Sequence, residues 1–546
     1  MPRVAVIGSG PAGVAAALPL LRGGLYVEML DGGREPDPSS EALAAKIRRQ
    51  VESGASPDAA VRRELKHGPG GEGAGLLRGV RAVLGGDVDA KRIEKRILGS
   101  SFVFDGVEQG IPLQSTPIPR SLARGGLSNV WGAACYSWRA DDYAHWPIAA
   151  GDLEPHYAAA SELFGLVQQR DDLARAYPLC GACREHPPRN PGSAAERLLE
   201  HWAQRGEALA ERGFAAGRAR VAARLPGDEA DACRRCGLCV YGCAWDAIYS
   251  TRRTLPDLER RGLRYRGGVT VERFAEEEDG VQVLWRDASG SAGRDRYDAV
   301  FLAAGTLSSL RIAADSQGHH DRPTPLLDND MVLLPLLLTR GLVGGRFRSR
   351  FTLAEAALAL DAGLVSERAL HLQLYSFHEY FLAELAPVLA ALPAPLENLA
   401  WWPLNNLLVS FTYLAGSESR IVSGRVRRTD GLGRIEVEQR LHPEHRAVMK
   451  RLMRRLWQAR RDLGFVAASP LAKLAPLGFS GHLAGSLPMR RSPGPLESHP
   501  DGRLAGTRRV YVIDAAAFPD LPAQNLTYTI AANALRVAET FAIGGN

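Results

Sequence analysis

Four cysteines in CRRCGLCVYGC, namely Cys233, Cys236, Cys239 and Cys243, form the densest set of reactive side chains in the sequence. A C-x2-C-x2-C-x3-C run has the ligand spacing of a bacterial ferredoxin loop, although Ala244 stands where proline is usual. The fourth cysteine of such a run can serve a second cluster, so Cys180 and Cys183 in PLCGACREH are candidates for a missing ligand. The spacing predicts a [4Fe–4S] or [3Fe–4S] cluster. Zinc held by two CxxC units, and cysteines that bind no metal, stay open beside it. Cys135 stands apart and reads as a small buried hydrophobe.

A second constellation opens the chain. Residues 3–7, RVAVI, read as a buried parallel strand, followed by GSGPAG and then an alanine-rich helix. Gly8 permits the tight turn, Gly10 lets backbone approach a diphosphate, and Gly13 allows close packing of helix on strand. Pro11 and Ala12 start that helix, whose N-terminus offers free N–H groups and the positive end of its dipole. Asp31 ends the next strand, LYVEML, 23 residues after Gly8, where an acid accepts hydrogen bonds from a ribose. This predicts a dinucleotide site, without separating FAD from NAD.

The far end returns to the same theme. VYVID, residues 510–514, is another buried strand ending in an acid, Asp514. TYTIAANALRVAE then begins a helix, with Thr527 near its N-terminus. A strand ending beside a helix start is a second phosphate or ribitol site. His482 lies upstream in GHLAGSLPM, and taken by itself reads as an ordinary satisfied loop histidine.

These pieces must be positioned by a large, multi-domain chain. At 546 residues, 45% hydrophobic and 23% charged, it suits two to four globular units and excludes disordered and fibrous classes. The net charge of +6 rests on arginines spread along the sequence, with no zinc finger, RNP or basic-helix pattern, so nucleic-acid binding is not expected. An odd number of clustered cysteines does not suggest a secreted disulfide framework, and no secretory signal or clean membrane span is evident, so a cytoplasmic protein is expected. The apolar stretches MVLLPLLL and 385–414, the latter with Trp401 and Trp402, read as core packing. A peripheral membrane contact is the alternative.

Five blocks together resemble the glucose–methanol–choline (GMC) family of FAD-dependent oxidoreductases. They are GSGPAG with Asp31; ARGGLSNVWGA; DLEPHYAAASELFG; DAVFLAAGTLSS; and GHLAGSLPM with VIDAAAFPDLPAQNLTYTIAANALR, in the family's order along nearly the whole chain. The resemblance implies an α/β chain (α+β overall), with a Rossmann-like FAD-binding domain and a mixed or antiparallel-sheet substrate domain. It implies that Gly8, Gly10, Pro11, Ala12 and Gly13 hold the diphosphate and Asp31 the adenosine ribose. Gly125, Gly126, Ser128 and Asn129 would pass the flavin and pyrophosphate, and Val269 would contact adenine through its backbone. Ala304, Gly305, Asp514, Ala515 and Thr527 would complete the cofactor site. His482 matches the family's active-site histidine, and Asn525 falls where the family places a second His or Asn. Leu526 replaces the proline common after that residue.

The expected boundaries are 1–325 for the first FAD-binding part, with a helical insertion at about 34–115 and the cysteine-rich segment 180–243. A substrate domain follows at 326–470, built on strands such as HLQLYSF and LLVSFTYL, and the FAD-binding return occupies 471–546. The expected reaction is oxidation of an alcohol, either a sugar or glycoconjugate hydroxyl or a long-chain, lipid-like one, by hydride transfer to flavin with His482 as the base, and with a cluster on the cysteines the electrons would pass through it to an external acceptor. A redox flavoprotein serving a partner, and non-oxidative flavin chemistry on the same fold, are the rival readings.

Overall fold

The computed structural model describes residues 1–54, 101–104, 107–114, 118–227, 229–240, 242–344, 350–377 and 393–544. Most of the expected insertion at 34–115, and the first part of the apolar stretch 385–414, lie outside the described residues.

Apolar runs at its centre, with Arg264–Arg266 at one edge, build a five-stranded parallel sheet covered on both faces. Its order is Val510–Val512, Ala299–Leu302, Arg3–Ile7, Tyr26–Leu30, Arg264–Arg266. Val4, Ala5, Val6, Phe301 and Leu302 have no exposed surface. The helix Pro11–Arg22 packs on this sheet together with Thr527–Gly544, the last element of the chain. Close approach is built into the sequence: a Cβ on Gly13 would collide with the carbonyl oxygen of Gly8. The chain leaves this layer after Tyr26–Leu30, re-enters it with Arg264–Arg266 and Ala299–Leu302, and returns a last time with Val510–Val512, where the strand-then-acid pattern repeats.

A seven-stranded antiparallel sheet forms the second layer. Its main path is Phe465–Ala467, Met331–Leu338, Leu407–Tyr413, Leu370–Ser376, Ala356–Leu360, Phe214–Arg218, with Lys473–Leu474 pairing on Met331–Leu338. MVLLPLLL is thus a strand in the sheet interior, with Pro335 opposite Val409. Phe214–Arg218 was not expected as a strand of this sheet, and it supplies one edge from well before residue 326. The basic segment becomes the helix His445–Leu463, whose Val448, Leu452, Leu456 and Leu463 enter the core with Leu358, Leu372 and Leu374. Trp401 is buried and Trp402 exposed, both on Ala394–Asn405. Among the described residues no helix is long and apolar enough to cross a membrane.

Strand Leu370–Ser376 decides what the second layer shows to the first. Successive side chains alternate between faces. Leu370, Leu372 and Leu374 turn into the apolar core of the sheet. His371, Gln373 and Tyr375 stand on the other face, opposite Tyr413, Phe411 and Val409 in the ladder.

Candidate active site

The nucleotide cradle is built from the turns the glycines allow. Gly8 and Gly125 take φ of 107° and 89°, conformations that disfavour any residue with a side chain. The helix Pro11–Arg22 has Gly10 as its N-cap with no side-chain cap, and the space where a Gly10 side chain would point is open. A Cβ on Gly126 would lie 3.7 Å from the Cα of Gly10, so the two glycine turns face each other. The residues present fit a diphosphate: a gap lined by backbone, closed by an uncapped helix N-terminus.

Asp31 sits beside this gap, buried. Its Oδ2 accepts from Ser9 Oγ (2.8 Å), Gly33 N (3.1 Å) and Tyr265 Oη (2.8 Å), whereas among the described residues Oδ1 accepts from Ser9 N alone (3.1 Å). Burial raises its pKa, against the pull of these donors. Oδ1 thus keeps acceptor capacity for a ribose hydroxyl. The N–H of Val269 is donated to the Asp31 carbonyl (2.9 Å), so an adenine contact at this residue would not use it. Ser128 donates to Gly125 O (2.6 Å), and the Asn129 amide donates to Arg124 O (3.0 Å) and Gly126 O (2.7 Å). Both shape the loop from inside. Asp514 Oδ2 accepts from Gly305 N (2.8 Å) and Ser309 Oγ (2.6 Å), its Oδ1 accepts from Ala516 N (2.9 Å), and the Ala515 carbonyl accepts from Gly485 N (2.9 Å). Ala304 precedes Gly305 at the mouth of the helix Thr306–Gln317, and Thr527 is the first residue of Thr527–Gly544.

His482 and Asn525, 43 residues apart, are brought together: Asn525 Nδ2 lies 3.0 Å from His482 Nε2. On the other side of the ring, His482 Nδ1 lies 3.0 Å from Asn329 Oδ1. Asn329 Nδ2 donates to the carbonyls of Leu414 (2.7 Å) and Pro522 (3.0 Å), so its oxygen must face the ring. Nδ1 of a neutral His482 therefore carries the proton, and the lone pair belongs to Nε2. The His482 backbone N–H binds Ser480 Oγ (3.0 Å), and Ser480 binds Asp328 (2.6 Å), a carboxyl that burial pushes up to about 6. The Tyr413 ring stacks on His482 at 5.1 Å between centroids.

Sequence reasoning missed the polar face of Leu370–Ser376. Gln373 Nε2 donates to Asn525 Oδ1 and lies 3.1 Å from His371 Nε2. Tyr375 Oη donates to Gln373 Oε1 (3.0 Å), and Tyr177 Oη lies 2.7 Å from His371 Nδ1. Burial, with His482 close by, pushes His371 down to about 3, so it is a neutral group. The signal was present: HLQLYSF alternates polar or aromatic residues with leucine, and a strand buried on both faces must find partners for its His, Gln and Tyr.

Residues 417–534, which contain His482, Asp514 and Asn525, match the family model for GMC oxidoreductases. Residues 417–534 thus carry a GMC oxidoreductase domain. Pyridoxine 4-oxidase from Mesorbium loti superposes with a TM-score of 0.56 at 15% identity, over 100% of this chain and 99% of that one. Formate oxidase gives a TM-score of 0.59 at 11% identity, over 100% and 98%. At these identities the two solved structures establish the mixed α/β fold. No curated protein matches the sequence. The domain match supports an FAD-dependent oxidoreductase enzyme, flavin-dependent alcohol oxidation being the general chemistry of that family.

The cysteine run is not supported as a ligand set by the arrangement of its side chains. All seven cysteines are free thiols, and among the described residues no group of three or more His, Cys, Asp or Glu is arranged to hold a metal ion. Two of the sulfurs accept backbone hydrogen bonds, Cys243 Sγ from Ala247 N (3.2 Å) and Cys233 Sγ from Arg235 N (3.4 Å), and the four thiols of the run are near neighbours whose thiolates would repel one another. Burial raises the thiol pKa of Cys236 and Cys243, and with nearby Cys233 pushes Cys239 up to about 12. Cys180 is half-buried and Cys183 exposed.

Proposed function

We propose that this chain oxidises the hydroxyl of a small, uncharged, hydroxyl-rich alcohol to a carbonyl, with His482 as the base and Asn525 as the group that holds the oxygen. The observation that carries the reading is the anchored His482 ring: Asn329 takes Nδ1–H, which leaves Nε2 as a proton acceptor beside the Asn525 amide. FAD, held between the glycine turns with Asp31 and Asp514 at its sugar portions, supplies the two-electron acceptor when bound. Incoming substrate takes the place of the His482–Asn525 contact. Its O–H then donates to Nε2, while Asn525 Nδ2 donates to its oxygen and steadies the charge that builds there.

The walls support a polar substrate over a bare long chain. Tyr136 is fully buried, lies 4.6 Å from the His371 ring, and its hydroxyl has no hydrogen-bond partner among the described residues. A buried hydroxyl without a partner costs about 1–3 kcal/mol, and a second hydroxyl on the substrate would satisfy it. Electrons leave the flavin to oxygen or an external acceptor.

The test is anaerobic mixing of the purified holoenzyme with sugars, aromatic alcohols and long-chain alcohols, following flavin bleaching. Bleaching by polyols or sugars in preference to long-chain alcohols supports the reading; the reverse order overturns the substrate class. Iron and acid-labile sulfide are measured on the same sample, and about three or four irons per chain would reinstate the cluster on Cys233, Cys236, Cys239 and Cys243.

A further inference from the structure

We infer that Gln373 is a positioning residue: it keeps the Asn525 amide turned donor-first toward His482, and so keeps the base unprotonated and aimed at the substrate hydroxyl. The inference rests on the role proposed for His482 and Asn525.

The hydrogen bonds around the pair have a direction, set by backbone. Two carbonyls, of Leu414 and Pro522, fix the Asn329 amide, which fixes the proton on His482 Nδ1. Nε2 of the neutral ring then only accepts, so Asn525 must present Nδ2 to it and Oδ1 away from it. Oδ1 meets Gln373 Nε2. The Gln373 amide is itself held: its oxygen takes the Tyr375 hydroxyl at 3.0 Å, and its nitrogen faces His371 Nε2 at 3.1 Å. His371 accepts there, and its Nδ1–H is directed to Tyr177 Oη at 2.7 Å. Gln373, His371 and Asn329 are all buried, so these partners have no water to replace them.

This chain opposes protonation of His482. An N–H on Nε2 would face the Asn525 N–H. Relief would require the amide to turn over, which would set Asn525 Nδ2 against Gln373 Nε2, donor to donor. Gln373 thereby makes the turned amide costly and the imidazolium with it. Among the described residues the titratable groups near His482 include Asp328 through Ser480, His371 and the Tyr413 ring; replacing Gln373 leaves Asp328 and Tyr413 in place, and its effect through His371, which loses a donor, would persist without Asn525.

The test uses FAD-loaded enzyme labelled with 15N-histidine, with the His482 signals assigned by their loss in His482→Gln. In Gln373→Met, similar in length but without donor or acceptor, the proton affinity of His482 rises at least tenfold while Nδ1 stays protonated. In the Asn525→Ala background the same substitution changes it by less than twofold. Tyr375→Phe, which removes a single hydroxyl, raises the affinity at least twofold and covers the case in which Gln373→Met does not fold. An unchanged His482 in folded Gln373→Met and Tyr375→Phe overturns the inference, as does a rise that persists without Asn525. These signals report amide direction whether or not His482 is the base. Loss of the base role would instead appear as undiminished flavin reduction in His482→Gln.

Discussion

Glu355 fastens the strand that carries Gln373, and replacing it with glutamine should remove a pH-dependent loss of stability. Its buried carboxylate accepts from Asn190 Nδ2 (3.0 Å), Ser193 Oγ (2.6 Å) and the backbone N–H of Ser376 (2.9 Å), the last residue of Leu370–Ser376. Burial pushes its pKa from 4.5 up to about 7, although all three donors pull the other way. A carboxyl whose folded pKa is raised binds a proton more readily in the folded state. Its stabilising contribution is therefore present below about pH 4.5 and is lost as pH rises to about 7. A gap of roughly 2.5 units corresponds to about 3 kcal/mol. Glu355→Gln is neutral at every pH and carries no such loss. The difference in unfolding free energy between variant and parent should then shift in the variant's favour by about 3 kcal/mol between pH 4.5 and pH 8. For a chain of this length unfolding as one unit, this is a change of about 3 °C in the difference of melting temperatures. Paired thermal scans of the holo forms at those pH values read it directly. Parallel curves for the two proteins, or a parent that gains on the variant as pH rises, would refute the burial argument.

The two glycines of the cradle should separate folding from cofactor binding. Gly10→Ala fills open space, so apoprotein stability changes by less than about 1 kcal/mol, while flavin retained on purification falls at least tenfold by the 450 to 280 nm absorbance ratio. Gly13→Ala drives a methyl into the Gly8 carbonyl, so both flavin content and melting temperature fall. Asp31→Asn should weaken FAD binding about 10- to 100-fold in a fluorescence titration, because the amide turns a donor toward Ser9, Gly33 or Tyr265. Asn329→Leu removes the acceptor of the His482 N–H and orphans two carbonyls, so flavin reduction slows at least tenfold and stability falls by about 2 kcal/mol in chemical denaturation.

The layers that depend on chain-local patterns were legible. RVAVI, GSGPAG and VYVID each declare a strand or turn through period and glycine placement, and they meet in one parallel sheet. HLQLYSF and LLVSFTYL likewise alternate as strands do. The sheet that unites them was not legible, because antiparallel order depends on partners far apart: Phe214–Arg218 joins Ala356–Leu360 across some 140 residues. The His482–Asn525 pair came from family resemblance, since neither residue is marked by local pattern. Asn329, in an Asp-Asn-Asp run, has the composition of a turn, and its role follows only from the two carbonyls that grip its amide. The cysteines show the converse limit. Ligand-like spacing fixes the order of sulfurs along the chain but not the geometry at which they meet, and here the four thiols are neighbours without forming a metal-ligand arrangement among the described residues.

The most direct test of the account is the rate of anaerobic flavin reduction by whichever alcohol bleaches the enzyme, compared in parent and His482→Ala, with the carbinol hydrogen as protium and deuterium. The account predicts a primary isotope effect in the parent and a loss of about 10²- to 10⁴-fold in the variant at unchanged flavin content. An equal rate in His482→Ala, or flavin reduction without cleavage of the carbinol C–H bond, would contradict it.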